Sequence, residues 1–162
     1  MKYDFLIVGQ GISGTVLGIL LKQYNKSFLI IDKNDLITSS KVAAGLMHPM
    51  SFKRCVLNWE GDRFYEYSCQ FYKSCNTLFS KDVFKELKLT RLFSSYEEQN
   101  NWFSKAFVKP YNTILSPTEE ELPSLLNEFG NGSLLKSAKL DVKKFLSEAK
   151  KLFSSTKSFK KK

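Results

Sequence analysis

The sequence is poor in metal ligands and in thiols. Its 162 residues hold one histidine, His48, and three cysteines, Cys55, Cys69 and Cys75. No two of these cysteines form a C-x-x-C, and one imidazole does not complete a zinc site with them, so no metal centre is expected. An odd number of thiols without an export signal fits a reducing compartment, so the chain is expected in the cytoplasm. Proline is scarce: three of the four, Pro110, Pro117 and Pro123, punctuate one polar stretch, which is read as a loop or hinge. Long apolar runs are absent too. The longest candidate, Phe5 to Leu21, is broken by Gln10, Ser13 and four glycines, which excludes a membrane span and a signal peptide. Acidic residues number 16 against 25 basic ones, leaving a net charge of +9. At 43% hydrophobic and 14% aromatic residues, the composition is that of a folded domain and not of a disordered chain.

What is present is organised around the first residues. Asp4-Phe5-Leu6-Ile7-Val8 is a short apolar run that leads into Gly9-Gln10-Gly11-Ile12-Ser13-Gly14. An apolar-periodic segment follows to Leu21, then a second apolar run, Phe28 to Ile31, that ends in Asp32-Lys33. Strand, glycine turn, helix, strand and acid in that order form the dinucleotide-binding fingerprint. Gly9 permits the tight turn, Gly11 lets a pyrophosphate approach the backbone, and Gly14 lets the helix lie close to the sheet. The N–H groups opening the helix, around Gln10, Ile12 and Ser13, face the phosphates with the positive end of the helix dipole. Asp32 follows Gly14 by 18 residues, close to the spacing of about 20 for an acid that bonds a ribose hydroxyl. The basic balance then reads as a solvated surface on a protein that binds a polyanionic cofactor. No RNA-binding signature accompanies it, which argues against nucleic acid.

Further along, residues 3–8 are expected to form a buried parallel strand and Ile12 to about Tyr24 a helix, with Asn25 as its left-handed cap. Ser39-Ser40-Lys41-Val42-Ala43-Ala44-Gly45-Leu46 is a cluster of small residues without periodicity. Taken alone it is either an ordinary loop or a backbone passing close to something flat. From Trp59 to Phe79, Phe64, Tyr67, Phe71, Cys75 and Leu78 mark the stripe of a long amphipathic helix. Leu87 to Phe93 suggests a strand, and Ser95-Tyr96-Glu97-Glu98 is a capping box that opens a helix carrying Trp102 and Phe103. Residues 130–140 read as a glycine-led strand region. Asp141 caps a last helix with Val142, Phe145, Leu146, Ala149, Leu152 and Phe153 on one face. The lysine-rich residues 154–162 read as a basic tail.

With these residues in place, the sequence resembles the N-terminal part of FAD-dependent oxidoreductases of the D-amino-acid oxidase and glycine oxidase family. The resemblance rests on Asp4 to Gly14, on Ile30-Ile31-Asp32-Lys33, on Ser39 to Leu46 with Pro49, and on Gly132 to Leu135 followed by Leu140 to Leu146. It implies an α/β fold with a Rossmann-like FAD/NAD(P)-binding βαβ domain and the start of an inserted α+β substrate domain. Residues 1–50 would be the FAD-binding unit, 51–135 the inserted region and 136–153 a return helix. The family's chains are much longer, so the resemblance also implies that the C-terminal half is missing. The cofactor implied is FAD. Its site would comprise Gly9, Gln10, Gly11, Ile12, Ser13, Gly14, Asp32, Lys33, Ser39, Ser40, Ala43, Ala44, Gly45 and Leu46. The substrate implied is a small amine or amino acid, oxidised by hydride transfer to flavin N5. No catalytic residue carries over, and His48 is read as a loop-end residue and not as a flavin attachment point. Three alternatives stay open: a tRNA wobble-uridine-modifying FAD oxidoreductase domain, a non-catalytic nucleotide-binding product, and an NAD-dependent dehydrogenase.

Overall fold

A computed structural model describes residues 2–33, 35–125, 127–156 and 158–161. In chain order it contains β1 (Phe5–Val8), α1 (Ile12–Gln23), β2 (Phe28–Asp32), the single-turn α2 (Ser39–Val42), β3 (Leu46–Met47), β4 (Met50–Ser51) and β5 (Val56–Leu57). Then come α3 (Gly61–Phe79), β6 (Phe84–Glu86), β7 (Leu89–Leu92), α4 (Tyr96–Ala106), β8 (Asn131–Leu134), β9 (Ala138–Leu140), α5 (Val142–Ser155) and β10 (Phe159–Lys161). This mixed α/β chain forms two units. The first holds residues 1–45, 75–83 and 140–162, and the second holds 46–74 and 84–139.

The first unit is built on a parallel sheet in the order β1-β2-β10. Phe5 pairs with Phe28 and Ile7 with Ile30, so apolar side chains two apart line up on one face. Ile7, Phe28 and Ile30 on that face are buried. Against them lie α1 and α5, with the Phe153 ring edge-on to Phe28 at a centroid distance of 5.6 Å. Gly18, the one glycine in α1 outside the fingerprint, has a packing reason. A Cβ there would come within 2.9 Å of the Phe153 ring and 3.0 Å of Ile30. Helix α1 ends in a Schellman motif: Asn25 takes φ +53°, its N–H donates to the Lys22 carbonyl at 3.1 Å, and Lys26 N–H donates to Leu21 at 2.9 Å.

Two expectations for this unit need correction. Strand β1 is not buried throughout. Only Ile7 is, while Leu6 is 61% and Val8 83% exposed, because β1 is an edge strand among the described residues and only one sheet face carries helices. Nor is the stretch after Ser154 merely a basic tail. Phe159–Lys161 pairs in parallel with Ile30–Asp32, introduced by a 2.8 Å bond from Ile30 N–H to the Ser158 carbonyl. A parallel ladder is made by backbone groups, so β2's second edge can be filled by a sequence with no apolar run. Lys157 and Lys162 of that stretch lie outside the described residues. Residues 75–83 also belong to this unit. The Phe79 and Phe145 rings sit 6.0 Å apart, and Asp141 N–H donates to the Val83 carbonyl at 2.7 Å. As expected, Asp141 caps α5, its carboxylate accepting from Lys144 N–H at 3.0 Å.

The second unit has a three-stranded sheet in the order β3-β9-β6, a β4-β5 pair and a β7-β8 pair. Its core gathers Met50, Cys55, Phe93, Trp102, Ala106, Ile114, Leu115 and Leu134. Ile114 and Leu115 are fully buried, so the proline-punctuated stretch is in part packed core and not a simple loop. The reason is a second use of its backbone: Ser116 N–H and the Ile114 carbonyl bond to Ser133 and Leu135, each at 2.8 Å. The stripe on α3 also differs from expectation. Cys69, Tyr72 and Cys75 are its buried residues, whereas Phe64 and Tyr67 are exposed. The helix carries two overlapping apolar registers, and periodicity alone does not choose between them. At α4, Ser95 Oγ accepts from Glu98 N–H at 3.2 Å, but the Glu98 carboxylate takes Ser94 N–H at 2.8 Å and Arg91 Nε at 2.9 Å. The capping box is thus shifted by one residue on its return arm.

Two stability predictions follow from this packing. Phe153→Ala should cost about 3–5 kcal/mol in urea unfolding, as fully buried aromatic truncations do. Burial alone would raise the Glu98 pKa, but Arg91 and the Ser94 donors outweigh it and hold the carboxyl below its usual 4.5. Because the folded value is the lower one, the bonds stabilise the fold above pH 4.5 and lose their effect as pH falls through the folded value. Glu98→Gln should therefore lower the urea midpoint at pH 7, and the gap to wild type should close in acid.

Candidate functional site

The glycine turn sits where β1 ends and α1 begins. Gly9 takes φ +98°, a conformation that side chains avoid, and its N–H donates to the Ile31 carbonyl at 2.8 Å. Gly14 permits close packing of another kind: a Cβ there would overlap the Gly9 carbonyl oxygen and press on Ile7. Helix α1 thus starts directly against the end of β1, with no acidic residue in its first turn. That arrangement presents the positive end of the helix to whatever lies beyond Gly11.

Three segments distant in sequence fasten to this turn. From the end of β2, the Asp32 carboxylate accepts Gln10 N–H at 2.6 Å. From α2, Ser40 Oγ accepts Ile12 N–H at 3.1 Å. From α5, the Leu146 carbonyl accepts the Gln10 side-chain amide at 2.9 Å. Helix α2 is itself capped by Thr38, whose hydroxyl accepts Lys41 N–H at 3.3 Å. The outcome is a cavity of about 480 Å³ lined by Gln10, Gly11, Asp32, Leu36, Thr38, Lys41, Lys143, Leu146, Ser147 and Lys150. That volume lies within the roughly 300–1,000 Å³ typical of small-ligand clefts.

Of the residues expected at the site, Gln10, Gly11 and Asp32 line this cavity, and Ser40 and Ile12 are bonded to each other beside it. Ser13, Lys33, Ser39, Ala43 and Ala44 are exposed. Gly45 ends the first unit, its carbonyl accepting Leu140 N–H at 2.9 Å, and Leu46 opens β3 in the second unit. The sequence reading did not name the α5 wall of Lys143, Leu146, Ser147 and Lys150, nor Leu36, Thr38 and Lys41. The spacing 143, 147, 150 marks one helix face, but nothing local says that this face meets a turn over 130 residues earlier.

Other chemistry-bearing groups are not among the residues that line this cavity. His48, in the second unit, stacks its ring 4.4 Å from Phe52, and burial pushes its pKa down despite an opposing backbone bond at Met50. Cys55 and Cys69 are buried thiols that burial pushes upward, which disfavours the reactive thiolate. Among the described residues no three His, Cys, Asp or Glu side chains are grouped to hold a metal. No helix among them is long and apolar enough to cross a membrane.

The fold and this glycine-turn cavity define a class: a mixed α/β chain with the fold seen in amino-acid oxidases and deaminases. A glycine oxidase from Geobacillus kaustophilus superposes with TM-score 0.74 at 16% identity, over 99% of this chain and 46% of that one. L-Amino acid deaminase from Proteus myxofaciens, solved in complex with anthranilate, gives 0.72 at 15% identity, over 98% and 37%. Iminodiacetate oxidase from Chelativorans sp. BNC1 gives 0.72 at 12% identity, over 98% and 46%. The chain therefore spans less than half the length of each. Against the models of known protein families, the sequence matches none.

The packing of Gly14 makes a direct prediction. Gly14→Ala forces α1 away from the Gly9 carbonyl and should destabilise the chain by about 1–3 kcal/mol, the usual cost of overpacking. Urea unfolding followed by circular dichroism measures it.

Proposed function

We propose that the first unit is a Rossmann-like domain that binds FAD by its adenine-nucleotide half. We further propose that the protein oxidises an amine or amino acid, with the second unit as the inserted α+β substrate region. The observation that carries this reading is the placement of Asp32. Its carboxylate grips the glycine turn through Gln10 N–H and lines the same cavity as Gly11. One acid beside a glycine turn and a helix N-terminus is the arrangement that suits a ribose next to a pyrophosphate.

The residues fit the group. The first turn of α1 offers N–H donors and carries no acidic residue of its own. Ser40 Oγ accepts one of them, from Ile12, and its hydroxyl proton would be available to a phosphate oxygen. At the end of α2 and just after it, Val42, Ala43 and Ala44 are exposed, and small apolar side chains suit a flat ring laid along the backbone. Bound FAD would supply the hydride acceptor, flavin N5, for oxidation of the substrate carbon bearing the amine. The chain's own part is to bind, to orient and to neutralise the phosphate charge. The fold neighbours support the substrate class: their names are glycine oxidase, iminodiacetate oxidase and L-amino acid deaminase.

Titrating the purified 162-residue chain with FAD, read by flavin absorbance and fluorescence, tests the reading. Saturable binding is expected, weakened about tenfold or more in Asp32→Ala, because a hydrogen bond to a charged group contributes about 1.5–3 kcal/mol. A chain that takes up no FAD, or an Asp32→Ala chain that binds it unchanged, would overturn the proposal.

A further inference from the structure

Helix α5 is outside the glycine fingerprint, yet it forms one wall of the cavity. It carries four lysines. Lys144 donates to the Asp82 carbonyl at 3.0 Å, and Lys151 pairs with Glu148 at 2.7 Å. Lys143 and Lys150 line the cavity with Ser147, at positions i, i+4 and i+7 of one helix face. Leu146, whose carbonyl accepts the Gln10 amide, lies between them on that face, so the tether sets the helix against the glycine turn. The Lys150 ammonium lies 5.0 Å from the centre of the Phe159 ring, which orients its stem from β10.

The charges around the cavity are unequal. Lys41, Lys143 and Lys150 face it against the single carboxylate of Asp32. Among the described lining residues, ammonium groups thus outnumber carboxylates, an excess that fits the two charges of a pyrophosphate diester. We infer that Lys143 and Lys150 are anion-binding residues of this cavity, holding the pyrophosphate of an adenine dinucleotide from the side opposite the glycine turn. This rests on the nucleotide reading of the cavity. It adds that affinity for the phosphates depends on α5, and that Gln10 is the positioning residue that keeps α5 in register.

The test compares adenosine, ADP and FAD binding to the whole chain by titration calorimetry at low ionic strength. In the double variant K143Q/K150Q, ADP and FAD should bind about tenfold more weakly, as expected for two solvent-accessible ion pairs. Adenosine should change less than about twofold, because it carries no phosphate. K143R/K150R should restore ADP binding, and K151Q, which removes an ammonium that pairs with Glu148 and does not line the cavity, should leave it unchanged. Added salt should narrow the gap between wild type and K143Q/K150Q. If K143Q/K150Q binds ADP as wild type does while Asp32→Ala does not, the inference falls and the nucleotide reading stands. If the wild-type chain binds none of the three ligands, both fall together.

Discussion

The first unit depends on one short hydrogen bond, from Gln10 N–H to the Asp32 carboxylate at 2.6 Å. It closes the end of β2 onto the turn that follows β1, so the two strands share a register beyond their own ladder. A carboxylate acceptor makes it stronger than a neutral backbone bond. The same residue then reaches α5 through its side chain, bonding the Leu146 carbonyl at 2.9 Å. One turn residue thereby fixes both the acid and the lysine-bearing helix around a single cavity. The junction needs glycine at two places: a Cβ at Gly14 would overlap the Gly9 carbonyl oxygen, and any side chain at Gly9 would be strained at φ +98°.

The rest of the unit is arranged so that the junction can exist. Gly18 gives up its side chain to admit the Phe153 ring, which brings α5 close enough to α1 for Gln10 to reach it. Asp141 starts α5 at a defined residue by capping it. Phe159–Lys161 closes the other edge of β2, so that the strand bearing Asp32 is held on both sides. The second unit follows a different logic, with its own apolar core around Trp102, whose indole N–H donates to the buried Ser116 carbonyl at 3.2 Å. Ser116 also bonds back to Ser133, so the segment after Pro110 is drawn into that core.

Much of the fold could be read directly. The β1–α1–β2 order, the Asn25 cap, the Ser95 and Asp141 caps and the α5 stripe each depend on residues within one or two helical turns of each other. Local signals are enough for local structure. On α3 the expected stripe of Phe64, Tyr67, Phe71, Cys75 and Leu78 holds only at Cys75, because Cys69 and Tyr72 also fall at helical spacing from it and are the residues buried with it. Which set is buried is decided by what packs against the helix. The strand at Phe159 was missed because its pairing uses only backbone groups and its residues are largely lysine.

The candidate site divides along the same line. The glycines and Asp32 were determined by the sequence itself, since a positive φ at Gly9, a close backbone approach at Gly14 and an acid at the end of β2 that reaches the turn each demand particular residue types at fixed spacing. The Ser40 bond to Ile12, the Gln10 bond to Leu146, and the Lys143 and Lys150 wall were decided only by the tertiary structure. They join positions up to 136 residues apart, and serine, glutamine and lysine on a helix face look the same whether they meet solvent or a cavity. Their role comes from the surface they face, and only the folded chain defines that surface.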